Sequence, residues 1–382
     1  MNRKPRSEDH CIDDTQIARI LSNKTTTVTG AFISVLEVKD TRYDIGVYGN
    51  FLAEIPRRLV TSAALDASVS AIAASYVSMY SGEKSVETLE RYGKGLKALR
   101  VALNDPKEAN SANTICAFYL MMICRSWMAQ SDENTNHGEM LIYLLNAGAA
   151  QGWKGNFKSE LLVTLCVPLI MESIRNPKLQ WTARLGKLTE ARDNAIGIQS
   201  LKLQVLAKVP EYLRNLEIHL PVIKSTYHQM KIDLSTLRHS LENLGRAPHT
   251  KTLHSRFQAV YSLILAFTNI LNTFLRAFPH DDNSLLPESV AYFDETISLA
   301  EDALQYRPSG SSTMPLVPTS AWVATNDSSR RSKVEKLLEE YQSDFSILNW
   351  MEIAFWLEAR RGSVYASFQN YGVTTAKLSN GI

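Results

Sequence analysis

Nineteen consecutive residues, Phe257 to Leu275, carry no charged side chain. An apolar run of that length suits either a bilayer, whose hydrocarbon core takes about 20 residues of helix, or the middle of a helical assembly that covers it on every side. Gln258, Thr268, Asn269, Asn272 and Thr273 decide between the two. An amide without a partner in hydrocarbon costs several kcal/mol by rough estimate, so the run is expected to be a buried core helix and no membrane partner is expected.

Helical spacing dominates the chain from about Asn50 onward. Phe51, Leu52, Ile55 and Leu59 recur at three- and four-residue steps, as do Leu65, Val69, Ile72, Ala73, Tyr76 and Tyr80, the pattern of one apolar helix face. Leu89, Tyr92, Leu96, Leu99 and Leu103 mark the next buried stripe, and Arg91, Lys94, Lys97 and Arg100 fall on the outer side. Asn104-Asp105-Pro106 stops that helix, because proline lacks the amide and disfavours helical geometry in the residue before it. Asn113 to Met128 is apolar almost all round and belongs in the middle of a bundle. His137 to Ala147 reads as an amphipathic helix ended by Gly148 or Gly152. Phe157 to Ser173 is apolar with Pro168 inside, where a kink or division is expected. Further helices are predicted at about 183–207, 210–244, 251–277, 287–305 and 331–368. The fold class is therefore all-α: a large bundle or array of antiparallel helices in a single main body.

Residues 1–45 read as a polar, mostly unstructured segment, within which Thr25 to Leu36, rich in Thr, Val, Ile and Phe, could form one isolated extended piece. Residues 46–306 form the main helical body. Residues 307–330, with Pro308, Pro315, Pro318 and many Ser and Thr, read as a linker loop. Residues 331–370 are expected as C-terminal helices packing on the body, and 371–382 as a tail. No internal repeat of fixed period is present, which counts against a regular solenoid.

The chain has 41 Lys and Arg against 39 Asp and Glu, a net charge of +2 without a long basic block, so nothing in its charge advertises nucleic-acid binding. Arg3-Lys4-Pro5-Arg6 is short enough to be either a nuclear import signal or a solvated tail. Cys11, Cys116, Cys124 and Cys166 lack the close Cys-x2-Cys spacing that a tetrahedral metal site takes from one tight turn. Cys116, Leu120 and Cys124 fall on one helical face and are expected in the core. A reducing compartment fits this usage, and the polar Met1 to Asp14 segment has no export signal.

Signatures of catalysis are missing: no Gly-x-Gly-x-x-Gly, phosphate-cradling Gly-Lys-Ser/Thr, Gly-x-Ser-x-Gly or His-Glu-x-x-His occurs. His249 and His254 are five apart and His280 precedes Asp281-Asp282, but nothing in the spacing brings three or four ligands to about 2.0–2.2 Å from one metal. Asp281-Asp282 and Glu339-Glu340 are adjacent pairs that would point about 100° apart on a helix, as solvated faces or caps. No catalytic, cofactor-binding or metal-binding residue is therefore assigned, no cofactor is expected, and the chain is expected not to be an enzyme.

One ordered set of landmarks has a different character. It comprises Tyr92-Gly93-Lys94-Gly95-Leu96-Lys97-Ala98-Leu99-Arg100, Asp105-Pro106, Trp127, Asn136-His137-Gly138-Glu139, Leu144-Leu145 and Gly148, then Phe157, Leu161, Leu162, Pro168, Glu172 and Asn176-Pro177. In this order the set resembles the regulatory, or middle homology, region of fungal zinc-cluster (Zn2Cys6) transcription factors, the fungal-specific transcription factor domain. Gly95, Lys97, the stretch from Asp132 to Asn136, and Glu139 depart from the family pattern. The likeness covers about Asn50 to Trp181; the remaining half agrees only in being helical.

The resemblance implies a helical regulatory domain over 46–306, a nuclear setting, and regulation of fungal genes, with a secondary-metabolite biosynthetic cluster as the expected target. It implies protein partners, namely a DNA-binding transcription factor or co-regulator, and room for a small-molecule effector, expected to be apolar and held among helices. His137 and Gly138 would be packing and turn residues. The family's DNA reader needs six cysteines in a short basic segment, whereas only Cys11 precedes Asn50 here. Direct DNA contact is thus not expected from this sequence: the chain acts through partners, or a six-cysteine segment precedes it. A helical interaction scaffold without a transcriptional role is the alternative.

Overall fold

The computed structural model describes residues 24–83, 85–128, 137–150, 153, 155–176, 178–179, 202–244, 250–278, 282–344 and 349–379, with backbone alone for 137, 175, 203 and 367–379. Among these, every regular element is helical. The chain runs α1 (Lys24–Leu36), 3-10 turns at Thr41–Tyr43, Ile45–Tyr48 and Asn50–Arg58, then α2 (Ala63–Ser81), α3 (Val86–Asn104), α4 (Ala112–Trp127), α5 (His137–Ala150) and α6 (Asn156–Arg175). It continues with α7 (Leu203–Leu206), α8 (Val209–Arg214), α9 (Leu216–Leu244), α10 (Lys251–Leu275), α11 (Leu285–Ala303), α12 (Leu316–Ala324), α13 (Ser328–Gln342) and α14 (Trp350–Ser379). The all-α reading holds.

Local chemistry sets the ends. Ser62, Ser85 and Ser111 begin α2, α3 and α4, each hydroxyl accepting from an amide three residues on, at 3.4, 3.1 and 3.1 Å. These bonds satisfy amides that the first helical turn leaves without a partner. Gly82 closes α2 in the left-handed region at φ 73°, where glycine escapes the Cβ clash. Asp327 starts α13 in the same way, accepting from the Arg330 amide at 3.0 Å.

Two hydrophobic cores share one body. The first gathers α1 to α5 around Phe51, Leu65, Ile72, Ile115 and Leu120; the second gathers α8 to α14 around α10. Helix α6 belongs to both, giving Leu161, Leu165 and Leu169 to the first core and Ile170 and Ile174 to the second. Polar bonds also cross between the halves: the Ser309 amide donates to the Arg42 carbonyl at 2.9 Å, and Arg256 pairs with Asp44 at 3.2 Å. The uncharged run is α10, long and apolar enough to cross a membrane, yet 83% of its most apolar window lies buried inside the protein.

Several local expectations need correction. Thr25 to Leu36 lies in α1, not in an extended piece, so the segment read as unstructured up to residue 45 contains a helix and the 3-10 turn Thr41–Tyr43. Phe32 is fully buried there, and that burial overrides the β preference of its Thr and Val neighbours. Of the kink or division expected at Pro168, division does not occur, since α6 runs from Asn156 to Arg175 with Pro168 inside it. The segment 307–330 read as a linker loop contains α12, all nine of whose residues are buried against α10, α11, α13 and α14. The predicted helix at 331–368 is two, α13 and α14. Most of the predicted helix at 183–207, with the Arg3 to Arg6 cluster and Cys11, lies outside the described residues.

Candidate functional site

Several of the landmark residues, among them Leu99, Trp127, Leu144, Leu145, Phe157, Leu161 and Leu162, are buried in the first core. Trp127 stands edge-on to Tyr48 and Tyr76, with ring centres 5.7 and 6.0 Å away, and its indole N–H donates to the Tyr48 hydroxyl at 3.1 Å. Gly95 faces Met121 of α4, whose sulfur would lie 2.7 Å from a Cβ at that position. Gly148 lies against the Trp153 ring, 2.6 Å from where a Cβ would stand. Gly138 leaves room in the first turn of α5 for the Glu172 carboxylate, an anion where the helix dipole is positive. Gly138 and Glu172, 34 positions apart in sequence, thus meet in space.

The stripe expected on α3 is displaced. Its buried line runs through Thr88, Gly95 and Leu99, while Leu89 and Leu96 are 47% and 44% exposed. Gly95 allows α3 to approach α4 along a face with little apolar bulk, which rotates the leucines outward. Spacing alone could not reveal this, because the glycine contributes nothing to an apolar pattern.

Cys116, Cys124 and Cys166 are buried free thiols, and burial pushes the Cys124 and Cys166 thiols up to about 12. A thiol of that kind is neither nucleophile nor ligand at neutral pH. His254 is buried, its Nδ1 3.1 Å from the Tyr306 hydroxyl. His249, His280 and Asp281 lie outside the described residues, as do Asn136, Gly152, Pro177 and Trp181; the side chain of His137 does too. Asp282 caps locally, accepting from the Ser284 amide at 2.9 Å, and Glu340 pairs with Arg307 at 2.9 Å. No group of three His, Cys, Asp or Glu side chains converges on a metal position among the described residues.

Sequence reasoning missed the C-terminal end of α12, where three guanidiniums meet. Arg361 donates to the Val323 carbonyl at 2.7 Å, Arg276 to the Ala324 carbonyl at 2.8 Å and Arg331 to the Thr325 carbonyl at 2.9 Å. These carbonyls end a helix, so they lack intrahelical partners and carry the negative end of its dipole. Glu358 pairs with Arg331 and, at 3.6 Å, with Arg361. Arg276 has no carboxylate partner among the described residues and instead takes Asn272 Oδ1 at 3.0 Å. Burial, reinforced by the Arg361 charge, lowers the Arg276 pKa; burial likewise lowers that of Arg361, against the pull of Glu358.

Beside these two arginines lies a cavity of about 490 Å³, lined by Thr273, Arg276, Ala277, Asn326, Arg361, Gly362, Tyr365 and Ala366. A second hollow, of about 590 Å³, is bordered by Lys333, Lys336, Glu301, Glu339 and Glu340. Its charges offset one another, with Lys333 paired to Glu301 at 3.2 Å, so the arginine-lined cavity is the stronger candidate for a ligand. It is not the purely apolar chamber expected for an effector.

Compared with family models, with curated proteins and with solved structures, the chain matches none.

Proposed function

We propose that this chain is a regulatory body of the fungal zinc-cluster factor type, acting in the nucleus on transcription through a protein partner and an effector rather than by its own contact with DNA. The observation that carries the reading is that the landmarks Leu99, Trp127, Leu144, Leu145, Phe157, Leu161 and Leu162 are buried in one core, with Gly138 meeting Glu172 beside it. An ordered set of residues that resembles a family's framework has a physical reason to persist if its members build a common core. The core built by α2 to α6 gives that reason for these residues.

The test pairs localisation with transcript measurement. A tagged chain in its native fungus is expected in the nucleus, and deletion of its gene is expected to lower or raise a coherent set of transcripts. A cytoplasmic protein whose deletion leaves transcripts unchanged would favour the helical-scaffold alternative. Specific binding of promoter DNA by the purified chain alone would overturn the partner-dependent part.

A further inference from the structure

We propose that the cavity between the end of α10, the turn that follows α12, and α14 binds a small organic carboxylate, an anion with a compact apolar body. Two of its lining groups are guanidiniums, and each has N–H groups that no hydrogen bond takes among the described residues. Arginine offers five donors; Arg276 spends one on Asn272 and one on Ala324, and Arg361 spends one on Val323 and one on Asn326. A carboxylate takes two such donors in parallel and is held more strongly than a neutral acceptor. The local charge favours it, since three arginines cluster at the end of α12 around the single paired carboxylate of Glu358. Thr273 and Asn326 add a hydroxyl and an amide to the lining, and Ala277, Ala366 and the ring of Tyr365 add apolar surface, which gives a carbon body contacts that a bare inorganic ion would not use.

Gly362 is the second, independent observation. It lies inside α14, where glycine is the poorest ordinary helix former, yet a Cβ built there would meet nothing within 4 Å. Neither backbone conformation nor close packing demands glycine at this position. It does stand in the cavity lining, where a large side chain would crowd an occupant. Calling the occupant an effector rests on the regulatory reading above; its binding does not.

The experiment is isothermal titration of the full chain at pH 7 with benzoate, its neutral counterpart benzamide, and inorganic phosphate. Benzoate is expected to bind saturably, with benzamide and phosphate each at least ten-fold weaker. Gly362→Phe is expected to weaken benzoate at least ten-fold with an unchanged melting temperature. Arg276→Met should do the same, but it also strips a cap from α12, so the glycine variant carries the decision. Absence of saturable benzoate binding, equal binding of benzamide, phosphate binding in place of benzoate, or a Gly362→Phe variant with unaltered affinity would each overturn the proposal. Benzoate binding in a protein without effect on transcripts would leave the site standing and remove only its regulatory role.

Discussion

Asn269 and Asn272 lie one turn apart on α10, and both are fully buried, so substituting each by alanine opens a similar void. Their polar partners differ. Asn272 donates to the Tyr227 hydroxyl and to the Leu285 carbonyl, both at 2.9 Å, and accepts from Arg276 Nε at 3.0 Å. Among the described residues Asn269 makes one side-chain bond, to Ser320 at 3.3 Å, and its Oδ1 has no partner. Leaving a buried polar group unsatisfied costs about 1–3 kcal/mol. Tyr227 still has Glu288 as a partner in Asn272→Ala, so the sum for that variant is about 3 kcal/mol beyond the void. Asn269→Ala loses one long bond and removes an orphaned oxygen, which leaves about 0–1 kcal/mol. At about 2.1 cal/mol/K per residue, unfolding the 382-residue chain carries about 0.8 kcal/mol/K. The difference of roughly 2–3 kcal/mol then separates the two melting temperatures by about 3 °C, readable by calorimetry or fluorescence. Melting temperatures equal within about 1 °C, or a lower value for Asn269→Ala, would refute the assignment of the network.

Gly148→Ala should destabilise by about 1–3 kcal/mol, because the Trp153 ring is rigid and close. Gly93→Ala, with open space around it, should stabilise by about 0.5–1 kcal/mol; chemical denaturation of the pair checks both signs. Thiol labelling at pH 8 with peptide mapping should leave Cys116, Cys124 and Cys166 unmodified until denaturant is added, since all three are buried. Hydrogen bonding to Glu288 raises the Lys231 pKa from 10.5, and burial with Glu288 raises that of Tyr227. Groups raised on folding contribute stability below their unfolded pKa and lose it as pH climbs through the folded one. The melting deficit of Glu288→Gln should therefore be similar at pH 7 and pH 9 and narrow above about pH 10.5; a deficit constant to pH 11 would count against the contact.

Periodicity revealed the helices whose burial rests on apolar side chains. Phe51, Leu52, Ile55, Leu65, Val69 and Ile72 are buried as their spacing implied, and so are Cys116, Leu120 and Cys124. The reading faltered where a face is buried for another reason. Thr88 and Gly95 form the inner line of α3 because small side chains permit close approach. Tyr80, on an apolar repeat of α2, is 61% exposed and stacks on Tyr43 with ring centres 4.7 Å apart. The arginine-lined cavity was beyond the reach of spacing, since Arg276 and Arg361 are 85 positions apart and meet only through α12.

The burial of α12 shows how hydroxyl side chains can serve in a core. Within the stretch 307–330 whose prolines, serines and threonines suggested a linker, Leu316 to Ala324 is mostly apolar but holds Thr319 and Ser320. Thr319 returns its hydroxyl to the Pro315 carbonyl at 2.7 Å and Ser320 to the Val317 carbonyl at 2.6 Å. Thr268 and Thr273 do the same on α10, with Ile264 at 2.7 Å and Asn269 at 2.8 Å. A hydroxyl bonded back to its own helix carries no unmet donor into the interior, so these residues cost far less to bury than their polarity suggests. The amides of α10 cannot close on themselves in this way. Asn272 must be met from Tyr227, Leu285 and Arg276, and the last of these ties the second core to the rim of the cavity. Because Arg276 bonds Asn272 on one side and caps Ala324 on the other, a ligand that takes its remaining donors would pull on both α10 and α12, the two helices at the centre of the C-terminal half.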